Sequence, residues 1–409
     1  MLEYHTSTLP NGLRIVYGYN ASTVGYCGFT VDCGTRHERQ AELFGMAHFI
    51  EHILFKGTRS RNAWHINQRM ESVGGELNAF TTKEDTTFYA SFLAEDFDRA
   101  CELLSDLVFN ATAPQHELEK EQEVVIEEIE CYEDNPAELI YDVFEDRLLR
   151  GTPLGHNILG SRETVRSFDH DKCIAFLREH YIPSKMVFFA YGPMPWDKVL
   201  RAVTKHCAAQ SDGIVSVPTP ALSAESETPA PISSENRHQS HCILGCPTYP
   251  FGHPNASALL LLNNILGGPG MNSRLNQQLR EKRGLVYTVE SSLSTFTDCG
   301  YLSIYFGCDH KDRDKCFRLC HNELQRLMDT PLTARQLLAA QKQLKGQMGI
   351  ATANLENVAL SMAKQILRYG RIVSLEEKCR SIDNVTAAQL QATAQELFAP
   401  DKLLSVVLN

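Results

Sequence analysis

The stretch Ala47-His48-Phe49-Ile50-Glu51-His52-Ile53-Leu54-Phe55-Lys56-Gly57 decides how the rest of the chain reads. It has the pattern of one amphipathic helix with an H-x-x-E-H core. Residues three and four apart share a helix face, so His48, Glu51 and His52 stand side by side and both imidazoles reach one point in space. Two neutral imidazoles one turn apart suit a first-row metal, above all zinc. A carboxylate beside them can take a proton from water held there. The same letters also fit two half-exposed histidines on a helix surface, and the rest of the chain has to separate the readings.

At 409 residues the chain exceeds one typical core, which predicts two or more domains. Its 43% hydrophobic and 22% charged residues are ordinary for a globular protein. A net charge of −11 without any basic run argues against nucleic acid as the main partner and against anionic membrane surfaces. No run of about 18 apolar residues offers a membrane span. The start, Met1-Leu2-Glu3-Tyr4-His5, has no secretory character, and thirteen cysteines, an odd number, fit free thiols. A cytoplasmic location is the expectation. Cys316 and Cys320, one helical turn apart beside His321, offer a second set of metal donors, but small buried hydrophobes are the better reading.

The turn at Thr8–Gly12 feeds a strand through Val16, and a second strand spans Val24 to Asp32. The H-x-x-E-H helix covers about 43–55 and a further helix 63–73. Gly74-Gly75 then opens a hairpin of Glu76–Thr82 and Thr86–Leu93. Helices follow at 95–110, 115–132 and 137–150, then a buried strand at Val187–Tyr191 and a helix at Trp196–Ala208. Residues 209–236 are rich in Pro, Ser, Ala and Glu and read as an extended linker. Domains are therefore expected at 1–210 and 237–409, with the linker at 211–236. Beyond it the order of elements repeats. Strands are expected at 238–246, 286–293, 301–307 and 403–408, and helices at 256–266, 273–280, 311–328, 333–367 and 386–398. The fold class that follows is α+β, two similarly folded halves, each a mostly antiparallel sheet packed with helices. The second half has Leu-Leu-Leu-Leu-Asn-Asn where the first has His-Phe-Ile-Glu-His, so only the first can hold the metal.

Two histidines leave a catalytic zinc one protein ligand short. Between 117 and 133 stand Glu117, Glu119, Glu121, Glu123, Glu127, Glu128, Glu130 and Glu133, most of them a solvated helix face. Glu121, Val124, Val125 and Glu128 fall on one stripe, where two carboxylates are costly unless something cationic meets them. Glu128 is placed to ligate the metal and Glu121 to accept an imidazole N–H. Spacing alone does not separate Glu127 from Glu128.

In these residues the chain resembles the pitrilysin/insulinase family of zinc peptidases, whose H-x-x-E-H reverses the common zincin order. Its relatives include mitochondrial processing peptidase, insulin-degrading enzyme and short bacterial peptidases of this length. The likeness runs through Leu9-x-Asn11-Gly12-Leu13, Gly45-x-Ala47-His48-x-x-Glu51-His52, Phe55-Lys56-Gly57-Thr58, Gly74-Gly75-x-x-Asn78-Ala79, Ile158-Leu159-Gly160, Ser273-Arg274-Leu275 and Arg280-Glu281-x-x-Gly284-Leu285-x-Tyr287. The resemblance implies one zinc per chain on His48, His52 and Glu128, with Glu121 as a second acidic partner and Glu51 as general base. It implies an edge strand at Asn78, Ala79, Phe80 and Thr81 that pairs with an extended peptide. It also implies that Arg280 and Tyr287 contact substrate and stabilise the oxyanion. Members of this size are half-shells that close in pairs into a chamber. A homodimer acting on unfolded peptides is therefore expected, with each site completed by Arg280 and Tyr287 of the other copy. The competing reading is a non-catalytic peptide-binding or core subunit of a processing-peptidase-like complex.

Overall fold

The computed structural model describes residues 4–210 and 239–409, so the expected linker at 211–236 lies outside the described residues, as does His238. In chain order the strands are β1 (Tyr4–Thr8), β2 (Arg14–Tyr19), β3 (Val24–Val31), β4 (Glu76–Thr81), β5 (Thr86–Leu93), β6 (Met186–Gly192), β7 (Ser240–Thr248), β8 (Val286–Thr295), β9 (Gly300–Cys308) and β10 (Leu404–Leu408). The first eight helices are α1 (Met46–Leu54), α2 (Ala63–Glu71), α3 (Phe97–Asn110), α4 (Gln115–Glu133), α5 (Pro136–Leu148), α6 (Arg162–Arg166), α7 (His170–His180) and α8 (Trp196–Cys207). The rest are α9 (Ala256–Gly267), α10 (Arg313–Asp329), α11 (Ala334–Ala351), α12 (Leu355–Tyr369), α13 (Leu375–Asp383) and α14 (Ala387–Leu397).

These elements form two compact units that do not follow the expected division of the chain. The first takes the chain up to Cys131, the part from Gly151 into the undescribed stretch, and Asn354–Ile372; the second takes Tyr132–Arg150, the remainder up to Ala353, and Val373–Asn409. Helices α5 and α12 thus belong to the unit on the other side of the expected boundary. The cause lies in their apolar faces. Ala359, Met362, Ala363 and Ile366 of α12 recur at helical spacing and bury against Val16, Val187, Phe189 and Tyr191 of the first unit's sheet. Phe144 of α5 is fully buried, its ring edge-on to Tyr301 of β9 in the second unit. A single helix at 333–367 was expected. The chain instead breaks after Ala351, and Asn354 starts α12 as an N-cap, its side chain accepting from Asn357 N–H.

In the first unit six strands run in the order β1-β2-β6-β3-β5-β4. β2 and β6 are parallel and the other neighbours antiparallel. β6, Met-Val-Phe-Phe-Ala-Tyr-Gly, is buried at every position because helices cover both faces of the sheet. One face carries the large core that includes Phe49, Ile50 and Ile53 of α1 and Leu103, Leu104 and Leu107 of α3; α12 closes the other. β4 ends the sheet, with β5 as its one hydrogen-bonded neighbour among the described residues. β1, α6, α7 and α13 were not anticipated.

The second unit holds an antiparallel sheet in the order β10-β7-β9-β8. Its core draws on Leu261, Leu262 and Leu266 of α9, Cys316, Cys320 and Leu324 of α10, and Leu390 and Leu397 of α14. Cys242, Cys246, Cys316 and Cys320 are buried as small hydrophobes, and none of the thirteen cysteines is in a disulfide. Each unit is a mostly antiparallel sheet packed with helices. Among the described residues no helix is long and apolar enough to cross a membrane.

Candidate metal centre

The first turn of α1 is fixed from outside the helix. Gly45 occupies the N-cap position with φ of 95° and has no side chain with which to cap. A Cβ there would stand 2.5 Å from the Leu159 carbonyl oxygen, so glycine is required on two counts. The missing cap comes from Glu38, whose carboxylate accepts Gly45 N–H at 2.8 Å and Ala47 N–H at 2.7 Å. His156 Nε2 lies 2.8 Å from the same carboxylate, and its ring stacks on Phe44. Sequence reasoning missed Glu38 and His156, because no local spacing relates either of them to the helix they support.

Met46, Ala47, Phe49, Ile50, Ile53 and Leu54 sink into the core. That leaves His48, Glu51 and His52 together at its rim. The two imidazole centroids are 4.6 Å apart. From α4, Glu128 Oε2 stands 3.7 Å from His48 Nε2 and 3.5 Å from His52 Nε2. A tetrahedral ion with bonds of about 2.0–2.2 Å needs donors roughly 3.4 Å apart, and this set of two imidazoles and a carboxylate fits zinc. His48, His52 and Glu128 are the one such three-donor group among the described residues. Of the two carboxylates that spacing left open, Glu128 is the one near the histidines, and Glu127 is exposed. Val124, placed by the sequence on the inner stripe, is 46% exposed. It sits at the margin of the helix face, whose buried line is Leu118, Glu121, Val125 and Ile129.

Glu121 is buried and binds two cations. Its Oε1 lies 2.8 Å from His52 Nδ1, and its Oε2 pairs with Lys56 Nζ at 2.6 Å. Burial alone would raise its pKa, but these two partners outweigh burial and hold it below the usual carboxylate value. Lys56 had no assigned role in the sequence, although its place four residues after His52 points to the same carboxylate. Burial opposes a charge on His52 as well, yet Glu121 and Glu128 push its pKa up to about 9. Burial and His52 push His48 down to about 4. The hydrogen bond with His52 leads in lowering Glu128. Nδ1 bound to Glu121 leaves His52 Nε2 for a metal, the arrangement that orients a ligating imidazole.

Glu51 completes the group on α1. Its Oε2 accepts the Thr81 hydroxyl of β4 at 2.6 Å. Burial raises its pKa and the Thr81 bond draws it back. Of the four edge-strand residues, Thr81 therefore touches the candidate base itself. Asn78 is exposed on the strand, Ala79 is packed against the main core, and Phe80 turns to the opposite face, where it packs on Tyr89 with Lys364 over its ring.

Arg280 and Tyr287 lie in the second unit and meet each other, the guanidinium carbon 5.4 Å from the Tyr287 ring centroid. Arg280 lies in the last turn of a π-helical segment, Asn276–Glu281. β8 carries a bulge between Val286 and Val289, which turns Tyr287 outward so that it is 82% exposed.

A zinc protease of Streptomyces coelicolor, uncharacterized by its name, is 33% identical over 98% of this chain and 88% of its own. The chain belongs to the insulinase family of peptidases. The family profile described as Insulinase (Peptidase family M16) matches residues 14–162, and that of the Peptidase M16 inactive domain matches residues 167–344. An uncharacterized zinc protease of Bacillus subtilis is 32% identical over 98% of this chain and 97% of its own. Among solved structures, a protease from Helicobacter pylori superposes with a TM-score of 0.89 at 21% identity, covering 100% of both chains. A peptidase M16 inactive domain from Pseudomonas fluorescens gives 0.87 at 21% identity over 99% of this chain and 97% of its own. These two share the insulinase-family fold. The Insulinase profile spans the H-x-x-E-H helix and α4, and the inactive-domain profile covers a stretch without that motif.

Proposed function

We propose that this chain is a zinc-dependent endopeptidase that hydrolyses peptide bonds of extended, unfolded peptides. The observation that carries the reading is the meeting of three metal donors with a fourth, non-ligating carboxylate, Glu51, on the same helix face. A purely structural zinc has four protein ligands, whereas three leave the open position that hydrolysis needs. Zinc bound to His48, His52 and Glu128 supplies Lewis acidity to water and to the scissile carbonyl.

The chain's own residues do the rest. Glu51 takes a proton from the attacking water and delivers it to the departing amine. Its position beside the three metal donors, with Oε2 tied to the Thr81 hydroxyl, places it for that role. Glu121, held charged by Lys56, keeps the His52 imidazole oriented. The open side of β4 offers main-chain groups at Asn78–Thr81 to an extended substrate, a mode that reads few side chains and so tolerates varied sequences. Arg280 and Tyr287 are assigned to substrate contact and oxyanion stabilisation, contributed by the second copy in a homodimer.

The test is metal analysis together with hydrolysis of an unstructured peptide, with and without a chelator. Glu51→Gln should retain zinc and lose turnover; near-normal hydrolysis by that variant refutes the general-base role. Mixing Glu51→Gln chains with Tyr287→Phe chains should restore part of the activity, and no recovery sinks the assignment in trans. A chain that binds the peptide yet never cleaves it is the non-catalytic subunit instead.

A further inference from the structure

Thr81 is the one hydrogen-bond partner that Glu51 has among the described residues. A carboxylate only accepts, so the proton on Thr81 Oγ1 points at Glu51 Oε2, and Glu51 Oε1 is left without a protein donor. The threonine is itself held. It sits opposite Thr86 in the β4–β5 register, so the paired backbone holds it. Thr86 is fully buried and donates to the Cys33 carbonyl at 2.9 Å. Branching at Cβ leaves Thr81 few rotamers, so a rigid strand fixes this donor.

Nothing in the sheet needs that bond. Thr81 is partly exposed on a terminal strand, and water can satisfy its hydroxyl. A free Glu side chain at the end of a helix, by contrast, samples several rotamers, and one of them is useful to a base.

Resting on the peptidase reading above, we propose that Thr81 is a positioning residue for Glu51. It pins Oε2 so that Oε1 faces the reacting water. The same strand offers its open edge to the peptide. Seating the peptide along Asn78–Thr81 and aligning the base are therefore tasks of one rigid segment, and a shift of β4 moves both.

The experiment compares Thr81→Val, which keeps the shape and removes the donor, with Thr81→Ser, which keeps the donor. Each is measured for kcat and KM on an unstructured peptide, for zinc content, and by crystallography of Glu51. The expected result for Thr81→Val is kcat lower by about 10- to 100-fold, the scale of a misplaced catalytic group. KM and zinc content stay near those of the parent chain, and the Glu51 carboxylate leaves its position. Thr81→Ser recovers most of kcat. A Thr81→Val chain with parental kcat, or with Glu51 unmoved, overturns the proposal. So does a rise in KM alone, which makes Thr81 a substrate contact, or a Thr81→Ser chain as slow as Thr81→Val. If the parent chain with zinc cleaves no peptide, the peptidase reading falls, while the position of Glu51 in the Thr81→Val crystal still decides the positioning role. If Thr81→Val folds poorly, Thr81→Ala and the serine variant carry the same comparison.

Discussion

Replacing Glu38 by alanine should weaken the fold and the metal site together. The carboxylate is fully buried and serves three donors, Gly45 N–H, Ala47 N–H and the His156 ring. Truncation strands two buried backbone donors and one imidazole. Each orphaned donor costs about 1–3 kcal/mol, and water entering the emptied space relieves part of it, so the net loss is about 3–5 kcal/mol. At about 2–4 °C per kcal/mol for a unit of this size, the melting midpoint falls by about 10 °C. Glu38→Gln keeps one acceptor oxygen and should lose about half as much. Ala47 precedes His48, so loosening the first turn of α1 also weakens zinc binding in the alanine variant. Thermal unfolding followed by circular dichroism, with a chelator competition for zinc, reads both effects. A Glu38→Ala chain that melts within about 3 °C of the parent refutes the capping argument, and equal effects of alanine and glutamine refute its hydrogen-bond basis.

Glu121→Ala, which frees His52 Nδ1 and leaves Lys56 unpaired, should weaken zinc binding by about 10- to 100-fold in chelator competition, and unchanged affinity removes it from the site. His180 is buried beside Phe176 and His37, and burial pushes its pKa down to about 3. The unfolded chain takes up a proton near pH 6.5 that the folded chain refuses until about pH 3, so this residue makes stability fall as pH drops through that window. His180→Leu should therefore flatten the decline in urea-unfolding free energy by up to about 1.4 kcal/mol per pH unit between pH 6 and 4; an unchanged slope rejects the buried neutral histidine as its source.

Much of the site was legible because helical spacing is a strict ruler. His48, Glu51 and His52 needed only a period of 3.6, and Glu121 needed only that a carboxylate on a buried stripe find a cation, whereas the choice of Glu128 over Glu127 needed the family resemblance. Tertiary contact decided the rest. The Thr81 hydroxyl is 30 residues from Glu51 and meets it only because β4 runs past α1. Glu38 caps a helix from outside its own turn, a pairing no periodicity encodes. The α7 helix, by contrast, was legible and passed over. Asp169 caps it, and Cys173, Phe176, Leu177 and His180 recur at helical spacing and are buried. The division at 210–236 followed composition, which registers where a chain is polar and not which sheet a distant helix will cover. For α12, the apolar face was readable but its destination was not.

The placement of α12 has a consequence for synthesis. The sheet of the first unit is chemically complete once β6 ends at Gly192, yet Val187, Phe189 and Tyr191 on its second face wait for Ala359, Met362 and Ile366. A ribosome adding about 5–20 residues per second takes on the order of ten seconds to cross that gap. During that interval an apolar sheet face stands open to water and to other nascent chains. A fragment ending before Asn354, however well its metal ligands are arranged, carries the same uncovered face permanently.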